Sequence, residues 1–243
     1  MKRKRMLDLA AAALIASSAF ATAASASTVV VNNDEWTLSD TGFAQSATTG
    51  QFVSNLVAEF GTTIHAYSNN FSFTGASLAT AMTNAGATYT TGTAFSFTLA
   101  NISAYDAILL GGDYLSASEL TDLSAYVAAG GNVYIAGGTG ILGPALEAAA
   151  WNPFIAAYGV QMNTVYNGIT GNISVSGDSL FAGVSTLYQQ NGNGLFGASV
   201  VCCGQDGLYA IYRTPATIPL PAAGWLLVAG LGSITALRRR KHN

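Results

Sequence analysis

Short runs of β-branched and apolar residues alternate along the chain with longer stretches in which apolar positions recur every three or four residues, and most of these runs stop at Gly, Asn or Asp. TVVVNN (28–33) is a continuous strand-like run that ends on polar residues. In ATTGQFVSNLVAEFG (47–61) the side chains of Phe52, Leu56 and Phe60 recur at spacing four and so share one helix face, with Gly61 as the stop. TTIHAYS (62–68) reads as a second strand, GASLATAMTNAG (75–86) as a helix closed by Gly86, and ATYTTG (87–92) as a third strand. The strongest unit is YDAILLGGDYLSASELTDLSAYVAAGGNVYIAGGTG (105–140). Within it a buried strand ends at Gly111 and Gly112. Ser116 or Ser118 caps a helix with Glu119 near its positive end, Leu120, Leu123 and Val127 form the inner face, and a second buried strand follows. GPALEAAAWNPFIAAYG (143–159) predicts a further helix, interrupted at Pro153. Residues 160–213 are rich in strand and turn signals. Continuous apolar strands joined by helices predict an α/β domain over residues 27–214, with a parallel sheet covered on both faces in a three-layer arrangement.

The segment YDAILLGG…LTDLSAYVAAGGNVYIAGG resembles the class I glutamine amidotransferase-like superfold, a flavodoxin-like three-layer architecture. The likeness follows the order of elements over residues 28–212 and is sharp over 105–140. It implies a nucleophilic cysteine at the tight turn after the strand in NVYIAGG. Here that turn reads Gly137-Gly138-Thr139-Gly140, which leaves Thr139 as its one hydroxyl, a poor nucleophile without an adjacent base. The histidines are His65, in the middle of a strand-like run, and His242, in the tail. A Ser- or Cys-based triad therefore lacks two members, and the expectation is a protein that is not an enzyme.

The two ends depart from the pattern of the body. The chain opens with MKRKRMLDLAAAALIASSAFATAASAS, a basic start, an apolar middle and small residues at Ala24-Ser25-Ala26. Residues 1–26 thus read as a secretory signal peptide cleaved after Ala26 by signal peptidase. It closes with IPLPAAGWLLVAGLGSITALRRRKHN (218–243), in which residues 222–237 carry no charge and run into Arg238, Arg239, Arg240 and Lys241. As a helix this run spans about 24 Å, against about 30 Å of hydrocarbon; counted from Ile218 it just reaches across. A buried core helix is the plainer alternative, and four adjacent cations without acidic partners argue against it. The positive-inside rule places those cations in the cytoplasm. Pro219-Leu220-Pro221-Ala222, an apolar helix and a terminal arginine cluster, in that order, resemble the PEP-CTERM sorting signals of bacteria, nearest to the VPLPA type with Ile218 in place of Val. The resemblance implies processing by an exosortase, a Gram-negative host, export across the inner membrane, and a cell-surface or extracellular destination alongside exopolysaccharide.

Removing the ends changes the charge picture. Of nine Lys and Arg, four lie in residues 2–5 and four in 238–241, so Arg213 is the one cation of residues 27–217, against eleven acids; the net charge is about −10. Such a body repels phosphate backbones and anionic membrane surfaces, which excludes nucleic acid as a partner. Its natural complement is a cation, Ca2+ bound through oxygens included, while solubility alone also accounts for the charge. In a parallel sheet ligands bind beyond the carboxyl ends of the strands. Those ends read Asn33-Asp34-Glu35-Trp36, Ser68-Asn69-Asn70, Asp113-Tyr114 and Gly138-Thr139. Asp34, Glu35 and Asp113 could hold a metal ion, or grip a sugar together with Asn33, Trp36 and Tyr114; the plain alternative is solvated loop acids doing turn chemistry. Cys202 and Cys203 are adjacent, open to readings as buried thiols, a strained vicinal disulfide or a link to another chain. The expected function is an exported, non-catalytic surface or matrix protein with no required cofactor. A calcium- or glycan-binding module is the alternative, and a diverged hydrolase working through carboxylates a third reading.

Overall fold

The computed structural model describes residues 26–202 and 206–214. The early strand-like runs all form strands: β1 (Thr28–Asn32), β2 (Thr63–Ala66), β3 (Thr88–Thr91), β4 (Ala107–Leu110) and β5 (Asn132–Ala136). Between them lie helices α1 (Asp40–Gln45), α2 (Thr49–Phe60), α3 (Phe71–Thr74), α4 (Ala76–Asn84), α5 (Leu99–Ile102) and α6 (Ala117–Ala128), and α7 (Pro144–Ile155) follows β5. A 3-10 turn, Glu35–Leu38, comes directly after β1. The rest of the described chain is β6 (Gln161–Tyr166), β7 (Thr170–Ser174), β8 (Thr186–Gln190), β9 (Asn193–Phe196), β10 (Val200–Cys202) and β11 (Asp206–Arg213). No helix among the described residues is long and apolar enough to cross a membrane; the apolar run 222–237 and the motif at 219–222 lie outside them.

The protein is α/β, built on a nine-stranded sheet in the order β3-β2-β4-β5-β1-β11-β9-β6, with β10 also on β11. The first five strands of that order pair in parallel. β11, β9, β6 and β10 pair antiparallel, and β7 with β8 forms a separate hairpin. The sheet is therefore mixed, where the sequence predicts a parallel one. After α7 the described chain has no helix of crossover length, and strands joined by short turns pair antiparallel. Counted with β1 last, the parallel half runs 2-1-3-4-5, the flavodoxin-like order, so the first strand of the chain fills the place a final strand would take.

Strand side chains alternate between two cores, one on each face. Val30, Leu109 and Tyr134 face Phe52, Leu56 and Phe60 of α2 and Leu78 and Met82 of α4. Val29, Val31, Ile108, Val133 and Ile135 face Leu123 and Val127 of α6 and Trp151 and Phe154 of α7. The caps follow the sequence: Ser116 and Glu119 form a complete capping box on α6. The predicted break at Pro153 does not occur. α7 passes through it and ends at Ile155, because a proline this close to the carboxyl end removes one bond in the last turns and is held by the buried Trp151, Phe154 and Ile155 around it.

At the amino ends of the parallel strands Asn132 holds three segments together. Its Oδ1 accepts from Thr28 N at 2.8 Å, and its Nδ2 donates to Phe60 O and Asp106 O, each at 3.1 Å. At the same end the described chain closes on itself: Thr214 N donates to Ser27 O at 2.9 Å, and Arg213 binds Asp178 bidentately at 2.8 Å as well as Glu59. Removing the Asn132 amide takes the buried side-chain partner from Thr28 N and Phe60 O. Asn132→Ala is expected to lower unfolding free energy by about 2–3 kcal/mol, read as a shift in the urea midpoint at unchanged slope.

Candidate functional site

β2 and β4 are neighbours in the sheet, but the helices that follow them cover opposite faces, α4 on one core and α6 on the other. The loops after the two strands, residues 67–70 and 111–116, therefore run toward opposite faces, yet beside the carboxyl ends of the strands they touch directly. Ser68 joins them. Its hydroxyl donates to Gly111 O at 2.5 Å and accepts from Asn70 N at 3.0 Å. Asn70 turns its Oδ1 to Ser72 N, capping α3, and its Nδ2 to Glu35 Oε2 at 2.7 Å. Gly112 has φ of +81°, and a Cβ there would sit 2.8 Å from Asn70 Nδ2, so the close approach needs glycine. Between the same two loops Asp113 Oδ2 accepts from Asn69 N at 2.7 Å. The next residues on the first two loops also meet: Trp36 packs edge-on against Phe71, with ring centroids 4.8 Å apart.

Three carboxylates are buried at this end of the sheet. Asp34, fully buried, accepts from Trp36 N at 2.7 Å and from Gln190 N, and so ties the turn after β1 to the end of β8. Burial pushes its pKa up to about 6 against the pull of those amides and that of Gly192. Glu147, on the first turn of α7, accepts from Gly138 N at 2.9 Å, Thr139 N at 3.2 Å and Thr139 Oγ1 at 2.7 Å; burial raises its pKa, and these three donors oppose the rise. Glu35 is 5% exposed and has one donor among the described residues, Asn70. Burial pushes it up to about 7, with the charges of Asp34 and Glu147 adding to the effect. Around this group several buried polar atoms have no hydrogen-bond partner among the described residues: both amide atoms of Asn33 and Asn193 Oδ1. Backbones crowd here as well, for a Cβ on Gly192 would fall 2.1 Å from Asn33 O.

The expected site residues are thus brought to one end of the sheet but not to one task. Glu35 and Trp36 lie in the turn after β1, and Asp113 and Tyr114 in the loop after β4. Asn33 and Asp34 are interior, and both Asp34 oxygens are spent on backbone amides. No group of three His, Cys, Asp or Glu side chains among the described residues is arranged to hold a metal ion. His65 bridges β2 and β3 instead: its Nε2 donates to Gly92 O at 2.9 Å, its Nδ1 accepts from Thr90 Oγ1 at 2.7 Å, and burial lowers its pKa, so the ring is neutral. Cys202 ends β10, while Cys203, Ala24, Pro219, Leu220, Pro221, Ala222 and Arg238 to Arg240 lie outside the described residues; Ala26, the predicted cleavage residue, is exposed at their start. Sequence reasoning missed Glu147, and it placed Asn70 at a strand end without giving it a role. Glu147 had a readable signal, as the one charge in an otherwise apolar helical segment.

No family model matches the chain, and neither a curated protein nor a solved structure is similar to it.

The carboxylates set a pH dependence. Asp34 and Glu35 take up protons more readily folded than unfolded, with ordinary values of 3.8 and 4.5 against about 6 and about 7. Their stabilising contribution is complete below about pH 4 and is lost as pH rises through 6 to 7. Asp178, held low by Arg213, acts in the opposite sense, losing its contribution as pH falls below its ordinary value of 3.8. Unfolding free energy should therefore fall between pH 5 and pH 8, and Glu35→Gln should remove about 1–2 kcal/mol of that fall after allowance for screening; equal slopes in the two proteins would refute the assignment.

Proposed function

We propose that this is an exported, non-catalytic protein of the cell surface or extracellular matrix, directed there by a signal peptide (1–26) and an exosortase-type sorting tail (218–243), and that its body is a rearranged member of the amidotransferase-like superfold. The observation that carries the non-catalytic reading is the state of the turn after β5. Where the superfold's enzymes carry a nucleophile, this chain has Thr139, and both its hydroxyl and its amide are bound to buried Glu147. The amide of Gly138, which would otherwise help to stabilise an oxyanion, is taken by the same carboxylate. Among the described residues no histidine stands near to act as a base, since both ring nitrogens of His65 are bound at the β2–β3 edge.

Ser27 and Thr214 pair at the amino ends of the parallel strands, opposite the turn that carries Thr139.

Intact-mass measurement on protein recovered from outside its host tests the sorting. The expected mass lacks residues 1–26 and the segment after the proline motif, and any added mass on the new carboxyl terminus identifies an anchor. A mass that retains residues 218–243 would show a single-span membrane protein and remove the exosortase. Ammonia release from glutamine should stay at background, and turnover that Thr139→Ala abolishes would overturn the non-catalytic assignment.

A further inference from the structure

A second buried polar cluster gathers around Thr37, apart from the carboxylates. Thr37 lies in the 3-10 turn after β1 and Gln189 near the end of β8, 152 residues further along the chain. Both are fully buried, as are Asn32, Tyr134 and Tyr209 beside them. Thr37 Oγ1 donates to Tyr188 O at 3.0 Å and accepts from Asn32 Nδ2 at 3.0 Å and from Gln189 Nε2 at 3.2 Å. Tyr209 Oη stands 3.1 Å from the same oxygen and accepts from Gln189 Nε2 at 2.9 Å. The rings of Phe52 and Phe181 pack edge-on against Tyr209 and close this side of the cluster to water.

The hydrogen bonds of this cluster do not balance. A threonine hydroxyl offers one proton and two lone pairs, yet four polar groups lie against this one. Gln189 Oε1, meanwhile, is buried with no partner among the described residues. Turning the amide over only moves the defect, because its nitrogen then occupies the empty place. A buried amide satisfied on one side is costly, and the same geometry sets a nucleophile against an acyl group. Tyr209 Oη touches both the threonine oxygen and the amide nitrogen. Burial keeps its phenol protonated, so it accepts a proton only as it gives up its own. Such a relay moves a proton without creating a buried charge.

We infer that Thr37 and Gln189 join in an internal ester with loss of ammonia. Thr37 Oγ1 attacks Gln189 Cδ, an O–C bond forms and the Cδ–Nε2 bond breaks. The threonine proton passes to Tyr209 Oη, the tyrosine proton passes to Nε2, and ammonia leaves, so the step needs no other reactant. Orientation takes the place of a strong base, since well-placed intramolecular pairs reach effective molarities on the order of 10⁵ M and above. The ester removes the amide nitrogen that crowds Thr37 Oγ1 and frees the Tyr209 proton for the carbonyl oxygen that has no partner. It makes covalent a junction that Asp34 already holds by hydrogen bonds to Trp36 N and Gln190 N. Residues 27–217 contain no lysine, so a cross-link through a lysine amide is not open to this domain.

The test is mass spectrometry of proteolytic peptides from the protein purified from its host. The peptides holding Thr37 and Gln189 should appear joined, about 17 Da (one ammonia) below the sum of the two. Separate peptides at full mass overturn the inference. Thr37→Val should abolish the link and Thr37→Ser, which keeps the hydroxyl, should retain it; the second variant and the native protein decide the matter if the first does not fold. Ammonia is also lost when an Asn-Gly pair forms a succinimide, as Asn167-Gly168 and Asn191-Gly192 can. A loss that persists in Thr37→Val, or that fragmentation places at either pair, therefore overturns the ester. Tyr209→Phe removes the relay and leaves the nucleophile, and should slow the appearance of the link in newly synthesised protein at least about tenfold. Formation at an unchanged rate overturns the step as written.

Discussion

A body with eleven acids and one arginine has to bury carboxylates without cations to pair them. An isolated ionised carboxyl in an apolar interior is too costly to keep, so each buried acid must find neutral donors or hold a proton. At the carboxyl ends of the parallel strands the donors are backbone amides. Asp34 draws in Trp36 and Gln190, and Glu147 draws in Gly138 and Thr139. To present those amides the chain must wrap tightly after β1, β5 and β8, and the wrapping explains why Gly192 lies so close to Asn33 O that a side chain there would collide. The shape of the strand ends thus follows from a shortage of positive charge.

The same shortage separates structural acids from the one that is left over. Asp34 and Glu147 are saturated with donors and act as clamps. Glu35, beside them, has a single amide donor from Asn70 and bears the repulsion of both neighbours. The clamp also engages the whole turn after β5: the Thr139 hydroxyl and the amides of Gly138 and Thr139 are all bound to Glu147. The helices after β2 and β4, by contrast, diverge to opposite faces of the sheet.

Much of this was legible from the chain. The runs 28–33, 62–68, 87–92 and 105–140 gave β1 to β5, and the spacing of Phe52, Leu56 and Phe60 gave the buried face of α2, because burial on both faces leaves an unbroken apolar signature. The antiparallel half was not legible, since short strands joined by turns carry little that fixes their partners. Nor could periodicity show that β1 would lie between β5 and β11: that order depends on a long-range pairing, Thr28 with Arg213 and Asn32 with Tyr209. Of the site, Glu35, Trp36 and Asp113 were identified by their place after strands. Asp34 looked like a ligand group for the same reason, and only its contacts with Trp36 and Gln190 show it to be a clamp.

Charge is also distributed along the sheet. The arginine sits where β11 leaves the domain, bound to Glu59 of α2 and to Asp178, and Glu59 accepts from Thr28 as well. That end joins the first and last described strands and both covalent connections to the rest of the chain. Were the arginine at the opposite end instead, Glu35 would have an internal partner, its pKa would fall, and the aromatic edge beside it would face a satisfied ion pair. Placing the one cation at the base ties the two ends of the described chain together and leaves Asp34, Glu35 and Glu147 at the opposite end without a basic partner among the described residues, so burial and neutral donors alone set their protonation.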